Sequence, residues 1–403
     1  MTSTWLSADT LVRKYRPAQT PLVEDHRLLL EGDFWRRIPA YREVEEDTFL
    51  DHRWQAKASV TRAEQLYSVL RELVSDGFYQ ELVQGLARAP MSVRISPYIL
   101  SLIDWEHPAS DPLRRQFLPL ASELLADHPM ARLDSLHERA HSPVPGLVHR
   151  YADKVLFLTQ DRCPVYCRFC TRSYAVGLDT DDVRKDHVGA QAGRWEQAFD
   201  YLRTHPRVED VVISGGDSYS LRADQVRLIG HALLEIPNIR RMRFATKGLA
   251  VMPMKLLTDE DWTSALTEIA LRGRKLHKEV AVHTHFNHPR EITEITRRAV
   301  GRLFEEVVTV RNQCVLLRGV NDHADTMRLL VKRLSWIGVH PYYVFQHDLV
   351  TGVSVFRSPN VDGGARYFYF DPIDLLPEEG QERWADPSQH ERIVAEAVAA
   401  AGG

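Results

Sequence analysis

Three of the four cysteines in this 403-residue chain fall within eight positions, Cys163-Pro164-Val165-Tyr166-Cys167-Arg168-Phe169-Cys170. A C-x3-C-x2-C spacing on a loop after an apolar strand lets three thiolates converge on one small inorganic cluster. A [4Fe–4S] cube ordinarily takes four protein ligands, so three leave one iron with an open position for a substrate or cofactor. Two plainer readings compete, a zinc knuckle and three buried free thiols. Zinc favours four ligands in C-x2-C or Cys/His pairs, and thiols that only pack have no reason to gather at this spacing. The cluster reading leads.

Other residues able to do chemistry follow in order. The glycines of Ser214-Gly215-Gly216-Asp217 allow close approach of backbone to a ligand, and their amides can hold a polar group; the plain reading is a tight turn. Arg172, two residues past the cysteines, carries the planar fork that suits a carboxylate, or it forms a surface salt bridge. Asp348 follows the last apolar run, where it can meet an amine or cap a helix. His285, Asn287 and His288 can line a pocket. A histidine pair also suits a metal, but no carboxylate stands at the spacing that would complete a triad, so lining ranks first.

Taken together, Asp161 to Arg172, Ser214 to Asp217, His285 to Pro289, and Leu316 to Asp322 resemble the lysine 2,3-aminomutase family of radical S-adenosylmethionine (SAM) enzymes. The similarity runs in register from about Trp35 to Asp348 and resumes in the last fifty residues. It implies that Cys163, Cys167 and Cys170 hold a [4Fe–4S] cluster whose open iron binds SAM, giving a 5′-deoxyadenosyl radical that abstracts hydrogen from an α-amino acid before its amino group shifts. Phe169 matches an aromatic position beside the adenine, though plain packing is nearly as good a reading. Ser214, Gly215, Gly216 and Asp217 match the turn that contacts the methionyl amine of SAM. Arg172 matches an arginine that pairs with the substrate carboxylate, and Asp348 a carboxylate that reads the far amine. Arg150 and Tyr151 match positions near the phosphate of pyridoxal phosphate (PLP). An electron donor such as flavodoxin or ferredoxin and a homo-oligomer are also implied.

The resemblance breaks in two places. Beside Arg172 the family continues with arginines, where this chain has Ser173 and Tyr174. The lysine that anchors PLP is not found: no lysine occurs after Lys332. Thr351 to Phe356 and Arg366 to Asp371 resemble what in relatives lies beyond that lysine, so an internal deletion near Val350–Thr351 is expected. PLP binding is then possible only without its usual anchor. Hydrogen abstraction survives such a loss more easily than an amino shift does. The alternatives are therefore a PLP-independent radical SAM dehydrogenase or epimerase, and a non-catalytic relative that binds SAM or a cluster.

These residues need a scaffold. Short β-rich runs at Val155–Thr159, Val211–Ser214, Met242–Thr246, Val280–His285, Val308–Leu317 and Tyr342–Gln346 alternate with helical patterns near Arg194–Thr204, Ala223–Ile236, Trp262–Arg272, Glu291–Phe304 and Ala324–Trp336. That alternation predicts an α/β protein with a parallel sheet. Six strands fall short of the eight that close a full barrel, and the resemblance implies a partial (β/α)6 radical SAM barrel. The expected layout is an N-terminal helical region over 1–145, the barrel over 146–350 and a C-terminal extension over 351–403. In the first region, Thr61–Val74 reads as a helix capped by Thr61 and Glu64, and Pro112–Ala126 as a second amphipathic helix; Ser142–Leu147 reads as the linker. Each motif above sits at the C-terminal end of a predicted strand, where βα loops converge.

Bulk properties narrow the partners. A net charge of −4 and a pI near 6.5 speak against a nucleic-acid surface or a membrane surface. No long apolar run or signal-peptide layout is present, and a cysteine triplet plus a distant Cys314 makes no disulfide framework. The expectation is a cytoplasmic protein with a small-molecule substrate.

Overall fold

The computed structural model describes residues 24–356 of the chain. Its centre is one sheet of seven strands: β1 (Leu147–Tyr151), β2 (Lys154–Gln160), β3 (Asp210–Gly215), β4 (Arg241–Thr246), β5 (Glu279–Thr284), β6 (Thr309–Leu316) and β7 (His340–Gln346). They lie side by side in chain order. β1 forms an antiparallel hairpin with β2, and every later pair is parallel. A parallel pair needs a long crossover, and each of the five gaps from β2 to β7 contains a helix: α1 (Ala192–Thr204), α2 (Ala223–Glu235), α3 (Glu260–Lys275), α4 (Glu294–Glu305) and α5 (Ala324–Trp336).

Side-chain alternation along the strands gives the sheet two unlike faces. Phe157, Ile213, Phe244, Val282 and Val310 pair in register across five strands, and all are buried. The helices supply matching apolar stripes, as in α4, where Ile295, Ala299 and Leu303 are buried at four-residue spacing. The opposite parity brings up polar residues. Arg243 of β4 forms a buried two-pronged bond to Asp210 of β3, at 2.9 and 2.8 Å, and Gln313 of β6 meets the His283 ring of β5 at 2.8 Å. One face is thus core, and the other can hold polar ligands.

All six strands read from the sequence are present, and the five crossover helices match to within a few residues. β1 was not expected: Leu147 read as the end of the linker, and Arg150 and Tyr151 as lying just before the first strand. In the helical region before the sheet, two elements differ. The helix at Thr61–Val74 is shorter, Ala63–Leu70, and its N-cap is Arg62. Gln65, not Glu64, reaches back to the amides of Thr61 and Arg62, at 2.7 and 3.1 Å. Ser75 then caps a separate helix, Asp76–Ala87. The run at Pro112–Ala126 is α-helical only over Pro112–Phe117, because Leu118 is extended ahead of Pro119, and a single 3-10 turn follows at Ala121–Glu123. This region shares one core with the sheet: Trp35 stacks on Phe49 at 4.2 Å, and the same apolar cluster continues through Phe157 and Phe244 to Val339. Of residues 351–403, Thr351–Phe356 pack beside β6, with the Arg318 amide donating to the Phe356 carbonyl at 3.0 Å. Arg366 to Asp371 lie outside the described residues. Among the described residues no helix is long and apolar enough to cross a membrane.

Candidate active site at the strand ends

A cavity of about 340 Å³ opens at the C-terminal ends of the parallel strands, a size usual for small-molecule sites. The loop after β2 contributes Cys163, Cys167, Phe169, Cys170 and Arg172; the β3 loop contributes Ser214 to Asp217; Lys247, His285 and Asp348 follow β4, β5 and β7. The three cysteines therefore line one space. Burial pushes all three thiols up, Cys163 well above its ordinary value and Cys167 to about 12; Asp217 adds to the effect at Cys163, while Lys247 opposes it at Cys167 and Arg172 at Cys170. Such thiols stay neutral until a cation displaces their protons. Among the described residues, the trio of His, Cys, Asp or Glu whose ligand atoms all lie within 4.8 Å is Asp104, Glu106 and His107, near the surface. The cysteine sulfurs stand wider than that, whereas tetrahedral zinc with bonds of ~2.3 Å would draw its thiolates to roughly 3.8 Å.

The helical region grips the cysteine loop. The amides of Tyr166 and Arg168 donate to the carbonyls of Arg94 and Gln116, both at 2.9 Å, and Arg94 Nε donates to the Pro164 carbonyl at 3.1 Å. From the other side comes the glycine turn, whose small size has a specific cause. Gly215 sits at φ +113°, and a Cβ there would strike the Gln160 carbonyl; a Cβ on Gly216 would strike the Arg162 backbone. The glycines therefore seat the β3 loop against the start of the cysteine loop, besides lining the cavity. Gly216→Ala should cost about 1–3 kcal/mol and loosen that loop, lowering both the melting temperature and the iron retained after reconstitution. A variant as stable and iron-rich as the parent would show that the contact is not needed. The Asp217 carboxylate is largely committed to structure, accepting from the amides of Tyr219 and Lys247, each at 2.8 Å.

Two cations of the wall, Arg172 and Lys247, are each held by a carboxylate that does not itself line the cavity. Arg172 gives Nε and Nη2 to Glu138, at 3.0 and 2.8 Å, and the Tyr174 hydroxyl donates to the same carboxylate at 2.8 Å. Asp348 lies close enough to feel Arg150, Glu138 and Arg172, and burial holds its pKa above the ordinary value. Opposite, the Lys247 ammonium donates to Glu291 at 2.7 Å and to the His285 carbonyl at 2.8 Å. Sequence reasoning missed Lys247 and Glu138. Lys247 was findable, as the residue immediately after a strand end. Glu138 lies in a loop with no periodic signal and is brought in only by tertiary packing. His285 lines the cavity with its Nε2 buried and without a hydrogen-bond partner, so a polar atom is left for a ligand.

Several expected site residues stand elsewhere. Asn287 lies behind the wall: its amide nitrogen donates to Gln116 at 3.1 Å, and its oxygen accepts from the Val315 amide at 3.1 Å. His288 caps the turn at Pro289–Glu291. Arg150 and Tyr151 belong to β1 and do not line the cavity. Burial pushes His283, His285 and His288 down to about 3. The unfolded chain takes up protons near pH 6.5 that the fold refuses, so stability is full above that pH and falls as the pH drops towards 3. One unit below 6.5, each histidine should have cost about 1.4 kcal/mol. Denaturant titrations at pH 7.5 and 5.5 check this, and a flat profile would contradict it.

Together, the fold and site define an α/β protein with a thiol-lined ligand cavity at the ends of a parallel sheet. The chain belongs to the lysine 2,3-aminomutase family. It is 38% identical to L-lysine 2,3-aminomutase of Clostridium subterminale over 80% of this chain and 72% of that one. The Bacillus subtilis L-lysine 2,3-aminomutase is 34% identical over 81% of this chain and 64% of its own. A glutamate 2,3-aminomutase of Clostridioides difficile is 31% identical over 79% and 70%. No protein-family model matches the chain.

Proposed function

We propose that this protein is a radical SAM enzyme of the aminomutase type, acting on a small α-amino acid. One observation carries the reading: the three cysteines, the glycine turn, Arg172 and Asp348, far apart in the chain, line a single cavity. The partly curled sheet this requires fits a partial (β/α)6 barrel, because Arg150 on β1 and Asp348 beyond β7 are near enough for the arginine's charge to lower the carboxyl's pKa. Residues 146–350 would form that catalytic unit, with the region before it bracing the cysteine loop. The donor set fits an iron–sulfur cluster, with Cys163, Cys167 and Cys170 as its ligands. Phe169, Ser214 and the glycine backbone, with the unpartnered His285 nitrogen, are the groups available to SAM.

When bound, the cluster and SAM supply an electron and a carbon radical able to take hydrogen from an unactivated carbon. This chain's residues do the rest. Arg172, held rigid by Glu138, presents its remaining nitrogen to a substrate carboxylate. Asp348 attracts a cationic group at the far end, and that cation would keep its carboxylate ionised despite burial. The apolar rings of Phe169 and Phe345 restrict water.

PLP does not fit the described residues. Lys247 is the lysine that lines the cavity, and its ammonium is spent on Glu291 and a carbonyl. Arg150 and Tyr151 do not reach the cavity. This favours a second reading, in which hydrogen abstraction leads to dehydrogenation or epimerisation without PLP. Anaerobic incubation with SAM, a reductant and a panel of amino acids decides between them. A positional isomer supports the aminomutase, an unsaturated or inverted product supports the second reading, and no 5′-deoxyadenosine from any substrate would sink both. Arg172→Lys should raise KM about tenfold or more while leaving iron content unchanged, since a single ammonium cannot hold Glu138 through two nitrogens and offer a third to the substrate. An unaltered KM would remove Arg172 from substrate binding.

A further inference from the structure

The cysteine loop borders a second cavity. It measures about 220 Å³ and shares Cys163 and Tyr166 with the larger one, its other lining residues being different. That volume is below the usual range for small-molecule sites. Its lining includes Arg94, Arg162 and Lys255, together with His52, whose pKa burial lowers and whose ring stands 3.5 Å from Asp259; no carboxylate lines it. Three of these are already engaged. Arg94 Nε donates to the Pro164 carbonyl at 3.1 Å. Lys255 donates to the Tyr219 carbonyl at 2.6 Å and lies 3.7 Å from Asp259, while the His52 ring meets Thr258 at 2.9 Å. Arg94 and Arg162 have no carboxylate partner among the described residues, and Arg162 is exposed.

Resting on the iron–sulfur reading above, we propose that this basic cavity is where an acidic one-electron carrier protein docks, its carboxylates meeting Arg94 and Arg162. The electron then reaches the cysteine-held cluster from the Cys163 side. The carrier's own iron–sulfur centre loses one electron and the enzyme's cluster gains it; no bond is made or broken. The arrangement separates reduction from catalysis. Amino acid and SAM occupy the larger cavity, while charge arrives from the other side through a layer of one cysteine and one aromatic ring. Opposite charges at such a rim act mainly on association and are screened within about 8 Å at physiological salt.

The test uses the full-length, iron-reconstituted protein and a plant-type [2Fe–2S] ferredoxin as the probe. Arg162→Glu should weaken ferredoxin binding about tenfold at low salt, flatten its salt dependence and slow ferredoxin-driven cluster reduction in proportion. Arg162→Gln should show a smaller loss in the same direction. Dithionite should still produce the parent's low-temperature paramagnetic signal in both variants. Unchanged ferredoxin binding in both would overturn the docking site. Equal losses with ferredoxin and dithionite would also overturn it, by showing that the arginines serve the cluster and not the carrier. A parent protein that holds no iron would instead overturn the proposed function, and this site with it.

Discussion

Cys167→Ala, reconstituted anaerobically with iron and sulfide, should come out colourless and release no 5′-deoxyadenosine from SAM under reductant. Cys167 sits between the other two cysteines of the triplet, and all three line the same cavity. Three ligands already leave a cube one short of its usual four; two would leave it without a stable seat. The expected loss is total, because nothing nearby can substitute. Cys314, the fourth cysteine, is buried on β6 and contacts the Asn321 side chain at 3.3 Å. Its thiol does not line the cavity. The control is Cys314→Ser, which should keep colour and turnover. A brown Cys167→Ala protein that still cleaves SAM would end the reading of the site.

The second large effect concerns stability. Glu291 is fully buried, and it accepts from the Lys247 ammonium and from the amides of Asn287 and His288, at 2.7, 2.6 and 3.0 Å. Glu291→Ala leaves an ammonium and two amides buried without their acceptor. Breaking a buried pair from one side costs about 3–5 kcal/mol, which corresponds to a fall of roughly 6–10 °C in melting temperature. The double variant Lys247→Met, Glu291→Leu should recover part of that loss, because two apolar side chains leave no orphaned charge. Recovery would show that the pair is held for the site's electrostatics and not for stability. A single variant as stable as the parent would mean that water reaches Lys247 freely.

Much of this layout was readable before any coordinates. Strands such as β3, with Val211 to Ile213, are short β-branched runs bounded by turn residues, and the helices between them repeat apolar residues at helical spacing. Both are local signals, set by backbone sterics and burial. The cysteine triplet was equally legible, since ligand spacing along one loop needs no knowledge of distant contacts. Legibility failed where competing local signals were close in strength. Glu64 and Gln65 are both able to cap the helix at Ala63, and only the path of the chain through Thr61 selects Gln65. Asn287 and His285 looked alike as residues past a strand end. The packing of Gln116 from the helical region turned one into the wall and left the other facing the cavity.

From its sequence alone, this protein was bound to place three thiols on one loop after an apolar strand, and to alternate strands with helices so that loops gather at one end. Periodicity and spacing are properties of neighbouring residues, so they need no fold to be read. Which charges share the cavity was settled only in three dimensions. Glu138 meets Arg172, Glu291 meets Lys247, and a basic cavity borders Cys163, through contacts between segments 34, 44 and 69 residues apart. A buried charge takes whichever partner the packed chain delivers, because leaving it alone costs several kcal/mol.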